Sequence, residues 1–148
     1  MLEHFTRFPL LSEPTPIQHL AKLSKLLKGP QIYVKRDDLN VLGGGGNKLR
    51  KLEFLLGDAL LKGATAIITT GATQSNHARL TAASSAKAGL TCELILVHRV
   101  LRNDHEYLNN GNIILDKIFG AKVHRLSVRD DFEHFKFKKS KIWMNLES

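Results

Sequence analysis

Ala66-Ile-Ile-Thr-Thr-Gly-Ala-Thr-Gln-Ser-Asn-His77 decides the fold. Its first five residues are β-branched or small and predict a strand. Residues 71 to 75 predict a turn. Residues 76 or 77 to 87 predict a helix of small residues that ends near Gly89. The same alternation continues on both sides. Leu49, Leu52, Leu55, Leu56 and Leu60 predict a helix to about Lys62, with Asn47 as its cap and Gly63 as its stop. Residues 92 to 97 predict a strand, 106 to 119 a helix closed by Gly120, and 121 to 126 a last short strand. Helix and strand in strict alternation, joined by short turns, predict an α/β chain. Its sheet is open and parallel, flanked by helices and connected by right-handed crossovers.

The stretch before this core is less regular. Residues 1 to 13 read as an extended leading segment. Pro14-Thr-Pro16 predicts a helix start with Thr15 as cap. Ile17, Leu20, Leu23, Leu26 and Leu27 fall on one helical face, and Gly29-Pro30 stops the run. Ile32-Tyr-Val-Lys35 predicts a short strand, and Arg36-Asp-Asp38 a solvated strand end. Gly43-Gly-Gly-Gly46 is a loop whose backbone can approach a partner closely. The far end differs again. Residues 131 to 148 have no clear period and carry a lysine run at 136 to 141, an atypical basic tail or the product of a shifted reading frame.

Composition limits the function classes. Hydrophobic residues at 43% and charged residues at 24% fit a globular chain and exclude a disordered one. The net charge of +8 raises anionic partners. The basic residues are scattered, apart from the clusters at 48 to 51 and 136 to 141, so no continuous basic arm exists. Cys92 stands alone in an apolar stretch, so no intramolecular disulfide forms and a reducing compartment is expected. The start of the chain lacks a signal pattern, and no apolar run approaches the roughly 18 residues of a membrane span. A cytoplasmic protein without a membrane partner is the expectation. The histidines show no metal-ligand spacing, and no metal is expected.

Two stretches could carry chemistry. Gly43 to Lys48 invites a phosphate-loop reading, but Asn47 precedes the lysine and Leu49 follows it, so that motif fails. A dinucleotide fingerprint fails too, because Lys48 stands where its third glycine belongs. What remains is Lys48 at a helix start beside Arg50 and Lys51. Positive neighbours and a helix dipole disfavour an ammonium there and attract a phosphate. An amine favoured as a nucleophile, at a phosphate site, suits an aldehyde that carries a phosphate: pyridoxal 5'-phosphate, PLP. A solvated basic helix start is the plainer reading of the same residues. The second stretch, Gly71 to His77, lies between a strand's carboxyl end and a helix start, where open parallel sheets bind ligands. Backbone N–H groups there could hold a carboxylate, and Ser75 could carry a proton. An ordinary capping turn with an exposed His77 is the alternative.

Taken in order, Val34-Lys-Arg-Asp-Asp38, Gly45-Gly-Asn-Lys-Leu-Arg-Lys-Leu-Glu53 and Gln74-Ser-Asn-His77 resemble the D-cysteine desulfhydrase and 1-aminocyclopropane-1-carboxylate (ACC) deaminase family. These are fold-type II PLP enzymes, similar to the tryptophan synthase β-subunit. The resemblance runs from about residue 5 to 128. It implies that Lys48 is the Schiff-base lysine and that Asn47 and Lys51 lie near the cofactor, Lys51 toward its phosphate. It implies that Ser75 lies near the substrate, with catalytic work, and that Asn76 lies near the cofactor's phenolic oxygen. The turn of Ser75, Asn76 and His77 would hold a small amino-acid substrate.

The implied reaction releases ammonia and a 2-oxo acid, with pyruvate and sulfide from D-cysteine. His77 leans toward the desulfhydrase branch, since glutamine usually stands there in the deaminase branch. Members are about twice this length and commonly homodimers. The resemblance therefore implies three parts: residues 1 to 50 as an incomplete piece of the large domain, 51 to 130 as the small α/β domain, and 131 to 148 as the tail. It implies a truncated form, weak or inactive alone, whose dimer contacts can be lost. Two rivals from another class are a basic nucleic-acid-binding protein that uses the tail and a non-catalytic remnant. Nucleic acid is not the expected partner.

Overall fold

The computed structural model describes residues 2–127 and 144–145. The leading segment, expected to be extended, opens on a 3-10 turn (Leu2–His4) and then runs without regular structure to β1 (Ile17–His19), which pairs antiparallel with β2 (Tyr33–Lys35). Between these strands lies α1 (Ala21–Leu27). The helix expected from Pro16 onward is thus corrected. Its first residues form a strand because Ile17 pairs with Lys35 and His19 with Tyr33. That long-range ladder outweighs a helical spacing of apolar residues. Thr15 caps nothing; its hydroxyl donates to Asp37 Oδ1 at 2.7 Å.

α2 (Lys48–Leu61) forms as its leucines predict. Leu49, Leu52, Leu56 and Ala59 line one face and are fully buried. The leading segment crosses this helix and is strapped to it by Glu53. One carboxylate oxygen of Glu53 accepts the backbone N–H of Leu10 at 2.9 Å and of Leu11 at 3.0 Å. The other pairs with Arg7 Nε at 2.7 Å. Gly57 makes the crossing possible: a Cβ there would lie 2.3 Å from the carbonyl oxygen of Thr6.

The main sheet is parallel and has the order β5-β4-β3-β6. Its members are β3 (Ala66–Ala72), β4 (Thr91–His98), β5 (Lys122–Ser127) and β6 (Met144–Asn145). Ile67 stands opposite both Cys92 and Met144, and Leu94 opposite Val123. Residues 92 to 96 of β4 are all buried, as a strand covered on both faces requires. Helix α3 (Asn76–Ala88) follows β3 and buries Ala78 and Leu80 through Ser85. The expected open parallel sheet with flanking helices is what the chain builds. The boundary expected at residue 50 falls inside α2. Of the segment expected as a basic tail, β6 joins the sheet; the rest, including the lysine run, lies outside the described residues.

The single helix expected from 106 to 119 is two. α4 (His105–Asn109) and α5 (Asn112–Ile118) meet at Gly111, where φ is +60°. A Cβ on Gly111 would stand 2.8 Å from Gln74 Oε1, so the break is held open by a side chain from the β3–α3 turn.

Candidate active site

The site lies where α2 begins and where β3 hands over to α3. Lys48 and Lys51 are three residues apart on α2 and share one face. Arg50 turns away from them. Its Nη2 pairs with Asp37 Oδ1 at 2.6 Å and reaches Thr15 Oγ1 at 2.9 Å, while its Nε donates to Asp37 Oδ2 at 2.7 Å. Asp37 is accordingly held down at about 2, chiefly by the Arg50 hydrogen bond. Arg36 occupies Asp38 in the same way, at 2.7 Å. The Asp37-Asp38 carboxylates therefore serve as ion-pair partners for two arginines.

Among the described residues no ion pair involves Lys48 or Lys51. Burial, and then the charge of Lys48, push the Lys51 amine below the ordinary lysine range. His77 is pushed down to about 4, first by burial and then by the charges of Lys51 and Lys48. The three side chains thus lie within electrostatic reach of one another, although they come from different elements. His77 is neutral at neutral pH. Its Nε2 lies 3.0 Å from Thr69 Oγ1, and its Nδ1 is buried with no partner among the described residues.

Ser75 is the N-cap of α3; its Oγ accepts the Ala78 N–H at 3.2 Å. That leaves its hydroxyl hydrogen free. Asn76 is exposed and opens the helix, so Ser75, Asn76 and His77 share one turn with the free N–H groups of α3. Asn47 adjoins Lys48, but the cap expected of it is corrected. Its backbone is already helical at φ −66° and ψ −18°, and its side chain makes no capping bond.

Gln74, Arg79 and Asn112 tie these pieces together, and no local pattern marks the last two. Gln74 Nε2 donates to the carbonyls of Tyr107 at 2.7 Å and Asn110 at 2.9 Å. Its Oε1 accepts the Asn112 N–H at 2.9 Å. Arg79, on α3, reaches back with Nη2 to the carbonyl of Gly45 at 2.8 Å. Gln74 was visible only as part of the Gln-Ser-Asn-His string. Arg79 and Asn112 act across more than thirty residues, beyond any short-range signal.

These residues fit PLP. Two amines that form no ion pair among the described residues and a helix start make a positive surface suited to a phosphate. His77 Nδ1 supplies an unsatisfied buried polar atom beside it. Gly45 lets the preceding loop turn tightly: its φ is +77°, and a Cβ would stand 2.4 Å from the Asp38 carbonyl oxygen. Among the described residues no group of His, Cys, Asp and Glu could hold a metal ion.

The chain is similar to D-cysteine desulfhydrases of Salmonella paratyphi B and Salmonella newport. Each is 47% identical over 133 residues, which is 88% of this chain and 40% of the relative. It therefore spans about two fifths of the length of the curated relatives it matches. Among solved structures it is similar to one described as an ACC deaminase homologue, at 45% identity and a TM-score of 0.77, covering 92% of this chain and 39% of the other. A PLP-dependent aspartate racemase, 18% identical with a TM-score of 0.63 over 91% of this chain and 39% of the racemase, shares the fold. The family model described as pyridoxal-phosphate dependent enzyme matches residues 9–141, and the chain belongs to that family.

Proposed function

We propose that this chain carries the cofactor lysine and the substrate turn of a PLP-dependent lyase. The reaction takes D-cysteine and water to pyruvate, sulfide and ammonia. The observation that carries this reading is the pair of unpaired amines, Lys48 and Lys51, set against a neutral His77. The 47% identity to D-cysteine desulfhydrases supports the substrate.

Lys48 would hold the cofactor covalently through its Nζ, with Asn47 beside it. Lys51 would face the phosphate, and Asn76 the phenolic oxygen. When bound, PLP supplies the electron sink for negative charge on the substrate carbon. The N–H groups at the start of α3, around Ser75, Asn76 and His77, would hold the substrate carboxylate. Ser75 keeps a hydroxyl hydrogen to donate, since its oxygen is used as an acceptor in the cap. His77 works here as a neutral hydrogen-bonding group, because burial and then the charges of Lys51 and Lys48 oppose its protonation.

A second reading is ACC deamination to 2-oxobutyrate and ammonia, favoured by the likeness to the structure described as an ACC deaminase homologue. The reading extends to a cytoplasmic location and to the homodimer common in the family, whose contacts can be lost in this chain. Among the described residues no helix is long and apolar enough to cross a membrane. Leu26, 75% exposed, and Ile17, 68% exposed, offer apolar surface to a further body of protein.

The test is product analysis on the chain with PLP, at protein concentrations that register a single turnover. Sulfide and pyruvate should appear in equal amounts from D-cysteine and vanish with Lys48→Ala. 2-Oxobutyrate from ACC without sulfide from D-cysteine would replace the first reading by the second.

A further inference from the structure

We propose that Asn112, at the start of α5, is a positioning residue that fixes which end of the Asn76 side-chain amide faces the site. The inference rests on the reading of Asn76 as the residue nearest the cofactor's phenolic oxygen. An amide has a donating and an accepting end that look alike in shape, so its orientation is fixed by its partners. At Asn112 those partners leave one solution. Arg79 Nη1 lies 3.1 Å from one end of the Asn112 amide, and a guanidinium can only donate, so that end is Oδ1. The other end is Nδ2, which donates to the carbonyl of Gln74 at 3.0 Å and to Asn76 at 3.0 Å. Both hydrogens of Nδ2 are then used, and the Asn76 atom that receives one of them must be Oδ1. Asn76 Nδ2 is left pointing away from α5 with two hydrogens, and among the described residues nothing accepts them.

The clasp is anchored on every side. Arg79 is held to the glycine loop through the Gly45 carbonyl. The Asn112 backbone is held by Gln74 Oε1, and Gln74 in turn grips Tyr107 and Asn110. A donor aimed at the site suits an oxygen that bears negative charge, such as a phenolate. The inverted amide would present Oδ1, a second acceptor, and repel it. Asn112 would thus act through Asn76 without touching the cofactor.

The substitution Asn112→Asp is the sharp test. A carboxylate keeps the bond from Arg79 but has no hydrogen for Asn76 or for the Gln74 carbonyl. It should turn the Asn76 amide round, so that Nδ2 donates toward α5. Asn112→Ala removes the constraint without imposing the inverse and serves if the first variant folds poorly. Two readouts are needed on the full chain. The first uses no cofactor: the side-chain amide resonances of Asn76 in nitrogen-15 spectra, assigned by their loss in Asn76→Asp. With Asn112→Asp one hydrogen should shift and exchange more slowly with water, and with Asn112→Ala the two should broaden. The second is PLP affinity by absorbance titration, which Asn112→Asp should weaken by roughly tenfold.

Unmoved Asn76 resonances in both variants would overturn the proposal. So would unchanged affinity with Asn112→Asp in a chain whose affinity falls with Asn76→Ala. If Asn76→Ala itself leaves PLP affinity intact, the assignment of Asn76 fails, and the proposal falls with it. That outcome is distinct from a failure of the clasp, which the resonances report alone.

Discussion

The sheet region and the first 47 residues use apolar side chains in opposite ways. In the first, Leu94, Ile95 and Leu96 of β4, Ile67 of β3 and Leu80 of α3 are buried to within 1% of completely. In the second, α1 buries only Ser24, while Leu23, Leu26 and Leu27 are exposed. The leading segment is held by other means. Leu10 enters the core beside Leu49, Leu52 and Leu56, and one carboxylate, Glu53, gathers two backbone N–H groups and Arg7. One region is stabilised by close packing; the other is attached at a few polar points. Lys48 lies at the seam, where the glycine loop leads into α2, and Arg79 spans that seam from α3. Lys48 is thus positioned by both regions, and damage to each should register differently.

The largest effect should come from the packed region. Leu94→Ala should cost about 3 kcal/mol in urea unfolding, whereas Leu26→Ala should cost less than about 0.5 kcal/mol. Equal losses would erase the contrast. Glu53→Ala should cost about 2 to 3 kcal/mol, because it strands the Leu10 and Leu11 N–H groups and unpairs Arg7. Hydrogen exchange in that variant should rise over residues 7 to 11 before it rises in the sheet; uniform loss would show that the strap is not a separate attachment. Gly57→Ala should act on the same contact by steric means, at about 1 to 3 kcal/mol.

pH sharpens the comparison further. Asp116 of α5 is fully buried, neither carboxylate oxygen has a partner among the described residues, and burial raises it to about 7 against the opposing charge of Arg79. Its folded form holds a proton that the unfolded chain releases near pH 4, so its contribution to stability is lost as pH rises from about 4 to 7. His77 has the opposite sign. Its depressed pKa means that stability present above about pH 6.5 is lost as pH falls toward 4. The two slopes oppose each other between pH 4 and 6.5. Asp116→Asn should expose a stability that rises across that window, and His77→Gln one that falls. Parallel pH profiles for the two variants would contradict both assignments.

Much of this was legible from local pattern. The leucine spacing of α2, the β-branched run of β3 and the small residues of α3 each determine their element within a few turns of chain. The string around Lys48 and the Gln-Ser-Asn-His turn carry the family resemblance for the same reason: they are contiguous. What was illegible acts over distance. Ile17 reads as helical until its ladder to Lys35 is known. Asn47 reads as a cap until its backbone is found already inside the helix. Residues 106 to 119 read as one helix because nothing nearby shows that Gln74 occupies the space beside Gly111. The roles of Glu53, Arg79 and Asn112 depend on partners 33 to 46 residues away.

The central claim is that Lys48 is the residue that takes the cofactor. Incubation with PLP, borohydride reduction and mass mapping of the modified peptide tests it most directly. The account predicts saturable labelling at Lys48, lost in Lys48→Ala and not transferred to Lys51 or Lys62. Labelling spread across many lysines, or unchanged in Lys48→Ala, would contradict it.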